Sequence, residues 1–466
     1  MLSFRGNQAA NDVVVTGIGS VTPLGLHTTA TWQALLNGQV APAVLRPDDI
    51  DFWEELGRIP GLRRYGASLN TGQLSQAFRT CPLLQDFAPD HAAAILAERG
   101  ISSALLALQE ALNQSQFRLG CVAPHRIGVV FGSSKGGLRT AESLTPHART
   151  QSDQSLRTSE RQLLSHSNNK HTHAVNQLIH YWDECDPSGY RWSELFRTDS
   201  ATQWMAHLLQ AGGPVSCPVA ACATGLISVL QGAALIQSGA CDLCVTGSAD
   251  AALRASVLSS FNRLRVTSGH DDPRSACRPF DIDRDGFVIG EGAGVLILES
   301  RRHALARGIQ PLAQVLGGGW LGDSTGMTQM DATGDVVCQL LRRCTQATAT
   351  ATAPDILSVH GTGTLTNDLA ESRGIAHAGF QHLPICYGLK GALGHLLGAA
   401  GSVETALLVQ GITAGQYPGT ANLSTQDPLC PIPIARTPGP ASAAAVWGKL
   451  SLGFGGHVAY GLFAKP

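Results

Sequence analysis

Cys222 lies in the run PVSCPVAACATGLISVLQG, where a short β-prone stretch ends and a helix rich in small residues begins at once. A thiol at a helix N-terminus sits in the positive end of the helix dipole, which favours its thiolate, the nucleophilic form of sulfur. Ala221, Ala223 and Gly225 leave room for a substrate backbone to come close. Two histidines have comparable settings. HGTGTLTND puts His360 at a strand end in a turn of Gly and Thr, and LKGALGHLLGAAG puts His395 at a helix start, after Lys390 and before Glu404. A histidine alone is more often structural than catalytic, yet Gly-rich strand-to-turn junctions are where active sites gather.

The elements that must position these side chains belong to a large soluble chain. Its 466 residues carry a formal charge of 33 − 35 = −2, with 44 % hydrophobic and 15 % charged residues. That composition supports a large core and excludes disorder as the main state. Near-zero charge argues against nucleic acid or an anionic membrane as the main partner. No apolar run reaches about 18 residues, so no transmembrane helix is expected. The opening MLSFRGNQAANDVVV lacks a signal peptide's apolar stretch and cleavage site, so a cytoplasmic enzyme is the expectation. Twelve cysteines form no dense framework, and Cys241 and Cys244, the one CxxC, read as buried reduced thiols on a strand rather than a zinc or redox site.

Short β-rich runs, each followed by Gly and a helix-like segment (VVVTGIGSVTPLG, IGVVFGSSKGG, CVTGSADAAL, FVIGEGAGVLILES, LSLGFGG), point to an α/β fold with internal strands. Buried helices are expected over Ile101–Asn113 and Ala223–Ser238, the second capped by Gly239. A polar stretch at about 141–203 reads as an inserted excursion, its His166, His171 and His173 solvated rather than metal-binding, and 346–354 (QATATATAP) as a connector. CATGLISVLQGAALIQSG and HLLGAAGSVETALLVQG form a faint internal repeat.

The motifs ACATG, RPFDIDRDGFVIGEGAG, HGTGTLTND, LKGALGHLLGAAGSVE and GFGG occur in one order between Val13 and Ala464. On these the chain resembles the β-ketoacyl synthases of the elongating, Cys-His-His type in the thiolase-like superfamily. The resemblance implies a five-layered α-β-α-β-α fold of two similar halves, placed at 12–276 and 277–464, and a homodimer. It implies that Cys222 takes an acyl group from a thioester, with the backbone N–H groups of Cys222 and Phe454 as oxyanion hole between Gly453 and Gly455. His360 and His395 would steady the enolate left when a malonyl thioester loses carbon dioxide. Lys390 would pair with Glu404, Thr362 and Thr364 would contact pantetheine, and Phe454 would gate the site. The implied partner is an acidic acyl carrier protein, docked near Arg265 and Arg263. No metal or organic cofactor is implied.

The sequence also departs from that family. Lys135, in VVFGSSKGGL, stands where an apolar acyl-pocket residue is common. Either the tunnel is short, or it holds a polar or carboxylated acyl group, or Lys135 points into a subunit interface; a restricted or unusual acyl pocket is the favoured reading. Leu450, Leu452, His457 and Val458 replace the usual residues around GFGG, so an altered gate is expected, and Pro218 weakens a strand expected to pair across the dimer. The competing readings are a non-catalytic chain-length-factor-like subunit, disfavoured by retention of Cys222, His360, His395 and Lys390, and a degradative thiolase, disfavoured by the Cys-His-His pattern.

Overall fold

The computed structural model describes residues 12–46, 62–85, 89–139, 195, 197–347 and 353–466. Most of the 141–203 excursion, with His166, His171 and His173, and the middle of the 346–354 connector lie outside the described residues.

Two short ribbons, β2 (Ala43–Val44) with β3 (Tyr65–Gly66) and β11 (Gln416–Tyr417) with β12 (Gly439–Pro440), flank a ten-stranded sheet. Its first five strands are β1 (Val13–Val21), β4 (Ile127–Gly132), β5 (Val215–Ser216), β6 (Leu243–Asp250) and β7 (Gly292–Ser300). The second five are β8 (Ala313–Gly322), β9 (Ile356–Ser358), β10 (Ile385–Tyr387), β13 (Val446–Gly453) and β14 (His457–Ala464). The spatial order is β10-β9-β13-β14-β8-β1-β7-β6-β4-β5. From either edge inward, two parallel pairings are followed by two antiparallel ones. The halves meet over only two residue pairs, Val14↔Gln314 and Val15↔Ala313. The same five-strand pattern therefore occurs twice in the same chain order, and the faint repeat of the sequence is a structural duplication.

One sequence expectation needs correcting. A division at 276/277 assigns β7 to the second half, but Gly292–Ser300 lies between β1 and β6, in the first. The seam falls between Ser300 and Ala313. No break in composition marks it; only the pairing partners of β7 do.

Helices cover every face, which is why strands such as β1 and β7 are buried throughout and read as apolar or small-residue runs, interrupted in β7 by Glu299, which pairs with Arg307 and His303. One outer layer holds α1 (Arg99–Gln114) and α2 (Ser200–Leu208) against the first five strands. The other holds α4 (Asp335–Ala347), which packs on β8 and β14 and on α5 (Leu365–Ala376). Between the sheet halves lie α3 (Thr224–Gln237) and α7 (Ala400–Ala414), giving the five layers of a thiolase-like fold. α1 and α3 match the expected helices, and Gly239 ends α3 at φ 74°.

The central helices cross at backbone contact. A β-carbon on Gly225 would lie 2.3 Å from Ser402 N, and one on Gly401 would lie 2.6 Å from Leu226 N. Small residues at the crossing bring the two N-terminal turns side by side. One turn follows β5 and the other follows its counterpart β10: Cys222 lies in the 3₁₀ turn Ala221–Ala223 ahead of α3, and His395 lies two residues before the matching 3₁₀ turn, Leu397–Ala399, ahead of α7.

Candidate active site

Cys222 is held in a single 3₁₀ turn, Ala221–Ala223, directly ahead of α3. Ala221 adopts φ 46°, a left-handed conformation that costs a residue with a β-carbon. The turn is braced by Thr224, whose Oγ1 accepts from Ala220 N at 2.9 Å and donates to Ala221 O at 2.7 Å. The resulting bend turns the sulfur toward a cavity of about 580 Å³ that His360 and His395 also line.

The expected thiolate is not the resting form. Burial pushes the Cys222 thiol up to about 11, against the opposing pull of Lys135 and Lys390. A helix N-terminus contributes about 0.3–1 kcal/mol. The rise from 9.0 to about 11 corresponds to about 2.7 kcal/mol, so desolvation wins.

His360 follows β9, and His395 follows a short helix, α6 (Lys390–Leu393). Their ring centroids are 5.5 Å apart, nearly perpendicular. Burial drives both imidazoles well below their ordinary value, and the nearby Lys390 ammonium adds to it, so both are neutral. Leu397 N donates to His395 Nδ1 at 3.3 Å. An accepting Nδ1 puts the ring proton on Nε2, making that nitrogen a donor.

Lys390 is fully buried and donates both to the carbonyl of His360 and to Glu404 Oε1, the latter at 2.8 Å. Burial works to raise the Glu404 carboxyl, but the ammoniums of Lys390 and Lys449 outweigh it and hold the group ionised. Lys449, 2.6 Å from Glu404 Oε2, was not among the residues singled out from sequence.

Three carboxylates escaped the sequence reading as well. Glu371, on α5, accepts from the backbone N–H groups of His360 and Gly361. Asp368, three residues earlier, accepts from those of Thr362 and Gly363. The HGTG turn is thus built on two acidic side chains, and Gly361 and Gly363 take positive φ within it. The signal was the DLAE spacing directly after HGTGTLTN. Asp250, at the end of β6, accepts from Ser134 N at 3.0 Å and Gly398 N at 2.7 Å, tying the Lys135 loop to the turn after His395.

Gly453 packs against the Cys222 turn so closely that a β-carbon would lie 3.1 Å from Cys222 N and 2.8 Å from Ala220 O. Phe454 follows it, half-buried, and stacks on Phe261 at 6.3 Å between centroids. Edge contacts continue from Phe261 to Phe287 and from Phe287 to His395. Gly455 is exposed, and its N–H donates to Met327 O at 2.7 Å. Of the four departures around this turn, Leu452 lines the cavity, His457 stands beside Gly455, and Leu450 and Val458 point into the core.

Thr362 and Thr364 line the cavity with their hydroxyls 2.9 Å apart, and Arg265 reaches it from an exposed turn that follows the helix ending at Arg263. Lys135 is half-buried beside the cavity without lining it. Its Nζ is 3.1 Å from Ser134 Oγ and 6.0 Å from the Phe261 centroid, with no carboxylate partner among the described residues. Cys241 and Cys244 are both buried, but only Cys244 lies on β6; Cys241 precedes the strand by two residues. Among the described residues no group of three or more His, Cys, Asp or Glu could hold a metal ion, and no helix is long and apolar enough to cross a membrane.

A cysteine and two neutral imidazoles line one cavity on this duplicated fold, the fold class of the carbon–carbon condensing acyltransferases. Residues 10–304 match the family described as the N-terminal domain of β-ketoacyl synthase, and residues 312–424 match its C-terminal domain. This chain belongs to the β-ketoacyl synthase family. It is 30 % identical over 467 residues to a putative polyketide β-ketoacyl synthase 1 of Streptomyces cyaneus, covering 97 % of this chain and 98 % of that one. It is equally 30 % identical over 462 residues to a 3-oxoacyl-[acyl-carrier-protein] synthase 2 of Staphylococcus aureus, with the same coverage. A type II polyketide ketosynthase solved with its acyl-carrier protein shares the fold at TM-score 0.75 and 23 % identity, covering 98 % of this chain and 99 % of that one. A β-ketoacyl synthase from Burkholderia phymatum does so at TM-score 0.74, 24 % identity and the same coverage.

Proposed function

We propose that the protein condenses a Cys222-bound acyl group with a malonyl thioester carried by an acyl carrier protein, releasing carbon dioxide and a β-ketoacyl thioester. The observation that carries this reading is the single cavity lined by Cys222, His360 and His395, with His395 Nε2 fixed as a donor.

In the first half-reaction the sulfur attacks the acyl thioester. The tetrahedral oxyanion is met by the backbone N–H groups of Cys222 and Phe454, and the thiol proton leaves with the departing carrier thiol. In the second, the malonyl thioester enters along Thr362 and Thr364. As its carboxylate departs as carbon dioxide, the bonding pair stays on the α-carbon, and its charge spreads onto the thioester oxygen. Neutral His360 and His395 stabilise that enolate by hydrogen bonding. The carbanion attacks the acyl-cysteine, the carbon–sulfur bond breaks, and Cys222 regains a proton from solvent. Lys390 and Glu404 hold His360 in place from behind and touch no substrate.

The same reading has the protein act in the cytoplasm as a homodimer, with the exposed edge at Val215 and Val219 supporting the dimer face. β5 ends at Ser216, before Pro218, so any pairing there is short. Incubation with a panel of acyl carrier thioesters, followed by mass spectrometry of the Cys222 peptide, tests the proposal. Acylation at Cys222 with loss of carbon dioxide from a malonyl carrier is expected. A protein that resists acylation and cysteine-directed ketosynthase inhibitors would instead be a chain-length-factor-like subunit. Lys135 gives the panel a second use: an unpaired ammonium beside the acyl site favours short or carboxylate-bearing acyl groups, and efficient elongation of long saturated chains would refute that preference.

A further inference from the structure

Lys449 takes no part in the scheme above, yet it is one of the most deeply buried side chains in the protein. It lies on β13, four residues before Gly453, and pairs in register with Ser358, the last residue of β9. Its three N–H groups go to backbone carbonyls: Leu450 O at 2.7 Å, Val359 O at 3.2 Å and Ser358 O at 3.4 Å. Its charge rests against Glu404 Oε2 at 2.6 Å, off the line of those bonds. The β9–β13 ladder ends at Ser358, so Lys449 carries the attachment one residue further, to the residue directly before His360. From the other side Lys390 holds the carbonyl of His360 itself. The two lysines bind opposite oxygens of one carboxylate, and between them they grip the carbonyls of Val359 and His360, where the chain enters the HGTG turn.

We propose that Lys449 is a positioning residue for the decarboxylation step: through Val359 and Glu404 it fixes the strand end from which His360 reaches the enolate oxygen. The inference rests on the condensing reading above. It distinguishes the two half-reactions, because the Cys222 turn, Gly453 and Phe454 are held by their own strand and turn contacts, whereas His360 acts only on the malonyl unit. A buried ammonium without this task would be an expensive way to fill space, since an apolar side chain of similar volume avoids the desolvation cost.

The test separates the half-reactions in the full-length protein. Lys449→Met should leave the rate of Cys222 acylation from an acyl carrier thioester within about twofold. It should slow decarboxylation of a malonyl carrier thioester at least about tenfold, since loss of one oxyanion donor costs about 10²–10³ and displacement costs part of that. Glu404→Gln should act in the same direction, and the double variant should be little worse than the weaker single one, because both break one linkage. Should Lys449→Met fail to fold, Lys449→Gln, which keeps N–H donors and drops the charge, is measured in the same way. Equal losses in both half-reactions, no loss in either, or a loss in acylation alone would overturn the proposal. A wild-type protein inert in both would overturn the condensing reading itself.

Discussion

The resting state of Cys222 can be tested without knowing the acyl substrate. With its thiol pushed from 9.0 up to about 11, only about one molecule in a thousand carries a thiolate at pH 8, against about one in ten for an unperturbed cysteine at 9.0. Alkylation by iodoacetamide, read on the Cys222 peptide by mass spectrometry from pH 6 to 10.5, should therefore rise about tenfold per pH unit with no plateau below pH 10. Limited access to a residue that is 9 % exposed lowers the whole curve but leaves its midpoint unchanged, so the shape of the profile is diagnostic. Lys135→Met removes the foremost charge that opposes the desolvation, and the midpoint should move further up. A plateau at or below pH 8.5 would show that the helix N-terminus outweighs burial and would refute the balance drawn here.

Further outcomes follow from single contacts. Gly453→Ala would place a β-carbon 3.1 Å from Cys222 N and 2.8 Å from Ala220 O, so the nucleophile turn must shift; Cys222 acylation should fall about 10–100-fold with the thermal midpoint changed little, measured by acylation rate and calorimetry. Thr362→Val and Thr364→Val together remove the hydroxyl pair in the cavity and should raise KM for the malonyl carrier thioester several-fold with a smaller change in kcat. Burial raises the Glu110 carboxyl to about 7, despite hydrogen bonds from Ser20 N and Thr28 N. The folded protein therefore keeps a proton that the unfolded chain releases above its ordinary value of 4.5, and stability falls as pH rises from there to about 7. The loss is about 3 kcal/mol; Glu110→Gln should flatten that part of the thermal midpoint against pH, and an unchanged slope would contradict the assignment.

Much of the site was legible because its chemistry is written in local motifs. Cys222, His360 and His395 each lie in a strand-to-turn or helix-start context that short-range spacing exposes, Lys390 and Glu404 flank His395 and were paired through the family resemblance, and the structure brings all five to one cavity or directly behind it. The duplication was only faintly visible, since the repeat resides in strand pairing and two glycine crossings, while the two helix sequences differ at most positions. Lys449 and Asp250 were hidden for another reason. Each sits within a buried strand whose pattern reads as core, and its role depends on partners 45 and 148 residues away, a relation no local pattern carries. The thiolate expectation failed because the dipole can be read from position, whereas the depth of burial depends on Phe261, Phe287 and Phe454 folding over the turn.

Burial and charge divide the site into two shells with opposite requirements. The three candidate reacting groups, a thiol and two imidazoles, are all pushed toward their neutral forms by desolvation. The full charges of Lys390, Lys449, Glu404 and Asp250 stand one layer back, where each meets an opposite charge or a backbone dipole. A charged group at the inner surface would hold a malonyl carboxylate in its ground state and so oppose its departure, whereas neutral donors gain strength only as the enolate forms. The outer charges then have one task, to keep the neutral donors at fixed separation. That arrangement predicts that neutralising an outer lysine harms geometry more than electrostatics, the distinction that the split between acylation and decarboxylation in Lys449→Met is built to read.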